Sequence, residues 1–232
     1  MHQGERHPHI PARKLLESIV LGGSDGTIEG LAMTSALNGA GVGFDTIVLG
    51  GLAFAIAGAI SMFFSLYLSR RSEIESLRID RAREKMEIET EPEEERKEMV
   101  ELLKGDGYGD AEVKVIMDRL SKDKDLWLRE MLRRELKINA EESESTSHVQ
   151  AVAAGTSFLL LALLAVSPYV LAVPRIEALA ASVVISLSAL FALGSRAFIP
   201  RNFRPRAGME SALIGAVAGA ALYLVGLLLS HL

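Results

Sequence analysis

Five long apolar segments constrain this 232-residue chain more than any other feature of its sequence. A helix that crosses a membrane needs about 20 mainly apolar residues. The segments that approach this length are residues 15–37, 47–68, 149–173, 178–193 and 211–230. The last four contain no charged residue, whereas the first contains Glu17, Asp25 and Glu29. No strand pattern of useful length appears, so the sequence predicts an all-α membrane protein with five transmembrane helices per protomer.

Most of the charge lies in one polar stretch, residues 72–147, between the second and third apolar segments. This stretch holds 23 of the 30 acidic residues and 15 of the 25 basic ones. Its composition and helical periodicity predict a soluble, acidic helical domain. The predicted organisation is an N-terminal segment (1–14), spans one and two (15–70), the acidic domain (71–147) and spans three to five (148–232).

Cysteine is absent from the chain, which excludes disulfides, thiolate metal sites and thiol catalysis. The polar N-terminus and the long apolar segment behind it do not fit a cleavable signal peptide. The basic residues that flank the spans all fall on one side when the chain is threaded five times through a bilayer. They are Arg13, Lys14, Arg70, Arg71, Arg196, Arg201, Arg204 and Arg206. By the positive-inside bias this side is cytoplasmic, which places the N-terminus and the acidic domain inside and the C-terminus outside.

Four helices are predicted in the acidic domain. The second span should continue as a helix to about Ile88. Thr90 and Glu93 have the spacing of a capping box, with Pro92 in the first turn of a helix that ends near Lys104. Asp110 should cap a short helix to Leu120, and residues 125–141 form the fourth helix.

The first span carries a polar stripe beside a glycine stripe. Asp25, Glu29 and Met33 recur every four residues on one helix face, and Gly22, Gly26 and Gly30 recur on the next. Glycines at this spacing let another helix approach closely. Carboxylates in hydrocarbon are costly unless they face a cavity, a partner or a cation, so the stripe indicates an ion path. The alternative is an interfacial helix whose acids lie in water.

Met62 lies on one face of the second span together with Gly58 and Ser65, and Tyr67 lies near the cytoplasmic end. A methionine in such a helix ordinarily serves packing. Beside carboxylates, however, a thioether favours a softer divalent ion such as Fe²⁺ over Mg²⁺ or Ca²⁺.

Carboxylates in the acidic domain recur at spacings of three and four residues, which places them on shared helix faces. This geometry occurs where helical bundles bind iron or manganese. Lys and Arg residues alternate with these glutamates, so a solvated face with ion pairs is the alternative. The glutamates concerned are Glu84, Glu87, Glu95, Glu98, Glu101, Glu130 and Glu135, and Met131 lies next to Glu130 as a further candidate.

Two membrane motifs resemble those of the vacuolar iron transporter family, which includes iron and manganese importers of the vacuole. They are GGSDG at residues 22–26 and AGAISM at residues 57–62; Tyr67 and the pair Ser72-Glu73 follow. The resemblance covers almost the whole chain, including the glutamate-rich insert. It implies a homodimer of five-span protomers that moves Fe²⁺ out of the cytosol in exchange for protons.

The resemblance also implies roles for individual residues. Asp25 and Met62 would be the membrane ligands at the dimer interface. In the soluble domain, six residues fall where the family places its metal ligands: Glu84, Glu87, Glu95, Glu98, Met131 and Glu135.

The chain departs from the family pattern at three places. Phe54 stands where the family commonly has a glutamate in the second span. Ser65-Leu66-Tyr67 replaces a frequent Gly-Glu-Tyr, and Leu132 stands in place of a second methionine in the soluble site. We hypothesise that Glu29, at a position that is not usually acidic, replaces the lost carboxylate, and that the soluble site selects less strongly against Mn²⁺.

The sequence thus predicts a transporter rather than an enzyme, exporting Fe²⁺ by proton antiport, with Asp25 and Glu29 binding the ion and exchanging protons. Mn²⁺ as cargo is one alternative, and Zn²⁺ or other divalent ions could also bind. A membrane-anchored iron-binding or ferroxidase module is another, although the acidic domain lacks a Glu-x-x-His pair. We expect a lipid bilayer around the spans, no organic cofactor and no nucleic-acid partner. A compact chain without targeting extensions favours a prokaryotic plasma membrane.

Overall fold

The computed structural model describes residues 12–135, 144–171, 173–196 and 203–231. Within these ranges all regular structure is helical. In chain order the α-helices are α1 (Ala12–Gly39), α2 (Phe44–Thr90), α3 (Pro92–Gly105), α4 (Asp110–Leu120), α5 (Lys124–Arg134), α6 (Glu144–Val166), α7 (Arg175–Ser195) and α8 (Pro205–Leu229). A short 3-10 helix, Ser167–Val170, follows α6.

The chain divides into two compact units. Met1–Leu68 and Ser145–Leu232 form the first, and Ser69–Glu144 forms the second. The sequence placed the limits of the acidic domain at residues 71 and 147. The second unit therefore holds the end of α2 and helices α3 to α5, and the first holds the apolar helices.

Four helices in the described part of the chain are long and apolar enough to cross a membrane. They are Phe44–Thr90, Ser147–Val170, Arg175–Ser195 and Pro205–Leu229. This confirms apolar spans at four of the five predicted places. Helix α1 is long enough at 28 residues, but its charged side chains keep it out of this group.

Glycines let α1 approach α6 very closely. A Cβ at Gly22 would collide with the backbone of Ala154, and one at Gly26 with the backbone of Phe158. At Gly30 it would lie 3.0 Å from the Cα of Ala162. The predicted role of the glycine stripe as a helix contact is therefore confirmed.

A second set of glycines joins α1 to α8. A Cβ at Gly226 would collide with the carbonyl of Ala36, and one at Gly39 with the carbonyl of Tyr223. Leu31, only 1% exposed, lies over Gly219. Helix α1 is therefore held between α6 and α8, two of the apolar helices, which explains how it tolerates a low apolar content.

The third predicted span ends earlier than expected. Helix α6 stops at Val166, not at Val173, and continues as the 3-10 helix. The cause is Pro168, which has no N–H to donate to the carbonyl of Leu164. The hydroxyl of Ser167 donates to that carbonyl instead, at 2.8 Å.

The second unit packs around the single tryptophan of the chain. Its helices contribute ten buried apolar residues to one cluster: Ile88, Met99, Leu103, Val113, Met117, Leu120, Trp127, Leu128, Met131 and Leu132. This core explains why the acidic segment folds despite its charge, because the carboxylates lie mostly on the outer faces of the same helices.

Two predicted helix caps in this unit are wrong. Thr90 ends α2 and its hydroxyl donates to the carbonyl of Met86 at 2.9 Å, so it caps no following helix. Pro92 does begin α3, but no side chain caps that helix. Helix α4 has Gly109 as its N-cap residue, not Asp110, and the Gly109 N–H donates to Glu112 at 2.8 Å.

The fourth helix of the acidic domain is found one residue earlier than predicted. Asp123 caps it by accepting a hydrogen bond from the N–H of Leu126 at 3.0 Å. The described helix ends at Arg134. Residues 136–141, which were predicted to continue it, lie outside the described residues.

Candidate metal path and acidic cluster

The polar stripe of α1 borders α2. The methyl group of Met33 lies 3.1 Å from where a Cβ of Gly50 would be, so Met33 fills the space above a glycine of α2. Asp25 is half-buried, and Glu29 is exposed on the single protomer. The structure thus brings Met33 into the packing and leaves the two carboxylates at an edge where a further group could meet them.

The position of Gly50 near both Met33 and Leu37 shows approximately which residues of α1 and α2 lie at the same height. The two helices are joined by a four-residue connection and run antiparallel, and both rise by about 1.5 Å per residue. By these contacts Glu29 lies within about one turn of the height of Phe54, the position where the family pattern has an acid. The height match is what the hypothesised replacement of one carboxylate by the other requires.

Phe158 of α6 fills the junction between α1 and α2. Its backbone lies against Gly26, and its ring lies against Gly58 of α2. The ring of Phe54 is tilted against it, with centroids 6.1 Å apart. Sequence reasoning missed Phe158, because a phenylalanine within an apolar span carries no signal that it borders the carboxylate stripe.

Met62 packs against the apolar cluster formed by Ala55, Phe158 and Ala162. It is half-buried. This is the ordinary packing role that was the alternative for this residue. By the same contacts of Gly50, Met62 lies within about two turns of Asp25 in height.

Ser65 is exposed, whereas Tyr67 lies in an aromatic stack. The ring of Tyr67 is parallel to Phe63, with centroids 6.2 Å apart, and stacks on His148 at 4.7 Å. His148 was not singled out from the sequence. It directly precedes the third apolar segment, and only the packing of α6 against α2 brings it to Tyr67.

Two glutamates of the second unit are buried. Glu84 of α2 is 1% exposed and Glu95 of α3 is 7% exposed. Oε1 of Glu84 and Oε2 of Glu95 have no hydrogen-bond partner. A buried carboxylate oxygen without a donor is costly, so it is stable only if it gains a proton or a cation.

The pKa of Glu84 reflects this crowding. Burial, followed by the nearby carboxylates of Glu135 and Glu95, raises the pKa of Glu84 to about 8. Burial also raises the pKa of Glu95, while its hydrogen bond with Glu84 opposes the shift. The hydrogen bonds of Glu84 with Glu95 and Glu135 require one carboxyl to hold a proton. Without that proton the three groups repel one another.

Three other predicted ligands border this cluster with more access to solvent. Burial raises the pKa of Glu98, and the charges of Glu135, Glu87 and Glu101 add to the rise. Glu87 is half-buried and lies 3.7 Å from Arg83. Glu98 and Glu101 are exposed.

Met131 lies in the apolar core of the second unit and is fully buried. Leu132, at the position of the missing second methionine, is buried in the same core. Other acidic side chains of this unit form ion pairs, and among these Glu94 is on a solvated face. Glu130 pairs with Arg133 at 2.7 Å and Glu94 with Lys97 at 2.7 Å. Glutamates with ion pairs, such as Glu94, therefore fit the solvated-face interpretation, and the buried Glu84 and Glu95 fit the metal-site interpretation.

Within the described residues, no set of three or more Asp, Glu or His side chains is arranged as a preformed metal site. The Glu84 cluster is instead a group of adjacent carboxyls. The carboxylate oxygens that have no hydrogen-bond partner could bind a divalent cation, since hard and borderline cations take carboxylate ligands.

These features define a class of protein. Four apolar helices enclose or flank a helix that carries two carboxylates, and a separate acidic unit holds buried glutamates. This combination is typical of membrane proteins that transport cations. The chain belongs to the VIT family, whose match covers residues 16–227.

The similar proteins are vacuolar iron transporters. The chain is 31% identical to vacuolar iron transporter 1 of Arabidopsis thaliana, over 99% of this chain and 91% of that protein. It is 30% identical to the vacuolar iron transporter of Centaurea cyanus, over 93% and 88% respectively. With the vacuolar iron transporter of Toxoplasma gondii it shares 29% identity, over 92% of this chain and 74% of that protein.

The comparisons confirm the family resemblance and with it a metal-ion transporter that is not an enzyme. Iron is the cargo named for the relatives. Their names place them at the vacuole, so they give no support to the expected prokaryotic plasma membrane. That location stays a prediction.

Proposed function

We propose that the protein exports Fe²⁺ from the cytoplasm in exchange for protons, with α1 as a fifth membrane span. The observation that carries this proposal is the setting of α1. It bears Asp25 and Glu29 and lies in glycine-mediated contact with α6 and α8, both apolar enough to cross a bilayer. These contacts support a place for α1 within the membrane, where its carboxylates would be costly unless they served an ion.

The height match between Glu29 and Phe54 supports a shared role for Glu29 and Asp25. One turn separates the two carboxylates on the same face of α1. Fe²⁺ binding would displace protons from the pair, because two adjacent carboxylates repel until a cation neutralises them. Ion binding and proton release are then coupled at one place.

Met62 is the proposed softer ligand, within about two turns of Asp25 in height. Its thioether favours Fe²⁺ over harder ions. Met62 packs against the cluster of Ala55, Phe158 and Ala162 in the single protomer. Contact with the ion would therefore need a rotamer change, which a flexible methionine makes at small cost.

In the same proposal the second unit captures the ion on the cytoplasmic side. Glu84 and Glu95 would hold it through their orphan oxygens, with Glu135 and Glu98 completing the ligand set. Two protomers would pair, so that the exposed Glu29 edge faces its counterpart instead of lipid. Mn²⁺ is the second candidate cargo, favoured by Leu132 in place of a thioether.

Flux into proteoliposomes that contain the full chain tests the proposal. We expect Fe²⁺ uptake to be driven by an outward proton gradient and to exceed Mn²⁺ uptake. Asp25→Asn should abolish flux. Glu29→Gln should leave weak flux that no longer responds to the gradient.

A double variant provides the sharper arm of this experiment. Phe54→Glu in the Glu29→Gln background should recover part of the proton coupling, because the two positions lie within about one turn of each other in height. Phe54→Gln in the same background is the matched control, since it loses the same ring contact with Phe158 without adding an acid. Normal flux and pH dependence in Glu29→Gln alone would show that Glu29 is a bystander.

A further inference from the structure

Arg175 stands apart from the other basic residues of the first unit. The predicted threading places it on the far side of the membrane from the acidic unit. On that side no other lysine or arginine occurs in the sequence of the connections between spans or after α8. Because basic residues are disfavoured on the outer side, a lone arginine there suggests a specific role.

The Arg175 side chain binds the connection between α1 and α2. Its Nη2 donates to the carbonyl of Val42 at 2.7 Å and lies 3.5 Å from that of Gly41. The guanidinium also lies over the ring of Phe44, 5.5 Å from the centroid. Among the described residues no acidic group lies within ion-pair distance of it, although Glu177 is two residues away in the sequence and Asp45 directly follows Phe44.

Arg175 supplies a cation that the C-terminal end of α1 lacks. Helix α1 has no basic residue in its last turn, so nothing in α1 itself complements the negative end of its dipole. The connection turns at Gly41, whose φ of 74° is in the left-handed region that favours glycine. The carbonyls of Gly41 and Val42 then point to the start of α7, where Arg175 is the first residue.

Further contacts tie the same end of α1 to the segment before α7. The amide of Asn38 donates to the hydroxyl of Tyr169 at 3.1 Å. The ring of Tyr169 meets the edge of Phe44 at 5.7 Å. Tyr169 is buried with Ile47 and Ala178 in one apolar cluster. Arg175 is the exposed member of this set, so it is the member that can release first.

We propose that Arg175 is a positioning residue that latches the far end of the ion path. By holding the α1–α2 connection on α7, it keeps α1 closed at that end while Asp25 and Glu29 load from the acidic side. Release of the ion would require the latch to open. The latch rests on the proposed function, because it assigns to Arg175 a step of the transport cycle.

Thiol labelling of the full chain in proteoliposomes tests the latch without measuring transport. Since the chain has no cysteine, a single introduced thiol reports on one place. The thiol of Thr34→Cys would lie near the α1–α2 connection that Arg175 holds, and the thiol of Thr27→Cys two turns further from it along α1. Both threonines are fully buried, and each hydroxyl donates to the carbonyl four residues earlier. Labelling of Gly43→Cys, at an exposed position, identifies the vesicles in which the connection faces outward.

We expect Arg175→Ala to speed labelling of Thr34→Cys by an impermeant maleimide about tenfold, as loss of a charged hydrogen-bond donor implies. Thr27→Cys should be unaffected. Arg175→Lys should restore part of the protection, and Ile176→Ala, at an exposed neighbour, should change nothing. In flux assays Arg175→Ala should raise KM for Fe²⁺ about fivefold with a smaller change in kcat, because fewer molecules face the loading side.

Two labelling results would overturn the latch. One is unchanged labelling of Thr34→Cys in Arg175→Ala, and the other is an equal rise at Thr27→Cys, which would mean general loosening. Absence of Fe²⁺ flux in the wild-type protein would overturn the transport proposal. The labelling results would still show whether Arg175 holds the connection in place.

Discussion

Identical side chains behave differently in this protein according to their surroundings. Glu94 is exposed and forms an ion pair with Lys97, whereas Glu84 is buried beside two other carboxyls. Spacing along the helices does not separate these cases, because both residues belong to the same glutamate-rich pattern. The distinction comes from the packing of α3 against the end of α2, which a sequence pattern does not contain.

Glu84 should make the second unit less stable as the pH rises. Its folded pKa of about 8 lies above the usual value of 4.5, so the folded state holds a proton that the unfolded state loses. The associated stability is complete below pH 4.5 and is lost as the pH rises through 8. We expect Glu84→Gln to stabilise the unit at pH 8.5 by ~2 kcal/mol, less than the full shift because the carboxyls titrate together.

Fluorescence of Trp127, the single tryptophan of the chain, measures this unfolding in the full-length protein. The variant should gain little at pH 5, and Glu94→Gln, at an exposed site, should gain nothing at either pH. A divalent cation should stabilise the wild type at pH 8.5 more than Glu84→Gln. A stability of the wild type that is flat between pH 5 and 8.5 would contradict the assignment.

At the scale of helices, the glycine stripe of α1 was the most informative local pattern. Its spacing predicted a close helix contact, which the structure confirms, but it did not identify the partner as α6. Partner choice depends on the whole bundle, because every apolar helix presents small residues somewhere.

The wrong prediction of a cap at Thr90 has a different cause. The Thr90 hydroxyl donates to the carbonyl of Met86 within α2, so it does not accept a hydrogen bond from the start of α3. The capping pattern in the sequence does not show which of these two hydrogen bonds forms.

Gly26 and Gly23 test this contact as a matched pair on neighbouring faces of one helix. A Cβ at Gly26 would collide with the Phe158 backbone, whereas at Gly23 it would lie 3.3 Å from the flexible end of Leu193. We expect Gly26→Ala to destabilise the protein by about 2 kcal/mol through overpacking. Gly23→Ala should cost less than about 0.5 kcal/mol, since helix propensity offsets the tighter contact. Thermal unfolding in detergent measures both, and equal effects would refute the packing argument.

At the scale of the whole molecule, the sequence predicted the helical class and the family, and the structure located four apolar helices. The status of α1 is the part that composition could not decide. Its charges lower its apolar character, and the proposal that it is a fifth span depends on its contacts with α6 and α8. How the two units assemble, and whether two protomers pair as proposed, depends on contacts between separate surfaces, which no pattern within one helix encodes.

Topology reporters at three positions decide whether α1 spans the membrane. We expect reporters before Met1 and at Gly107 on the cytoplasmic side and one after Leu232 outside, because α1 and α2 return the chain to its starting side and three further spans follow. Gly107 suits an insertion, since it has a φ of 97° and no atom lies within 4 Å of where its Cβ would be. If α1 lay at the interface, the first two reporters would appear on opposite sides, while the second and third would still differ. The reporters before Met1 and at Gly107 therefore test α1 alone. If they appeared on opposite sides, Asp25 and Glu29 would not lie on any path through the membrane.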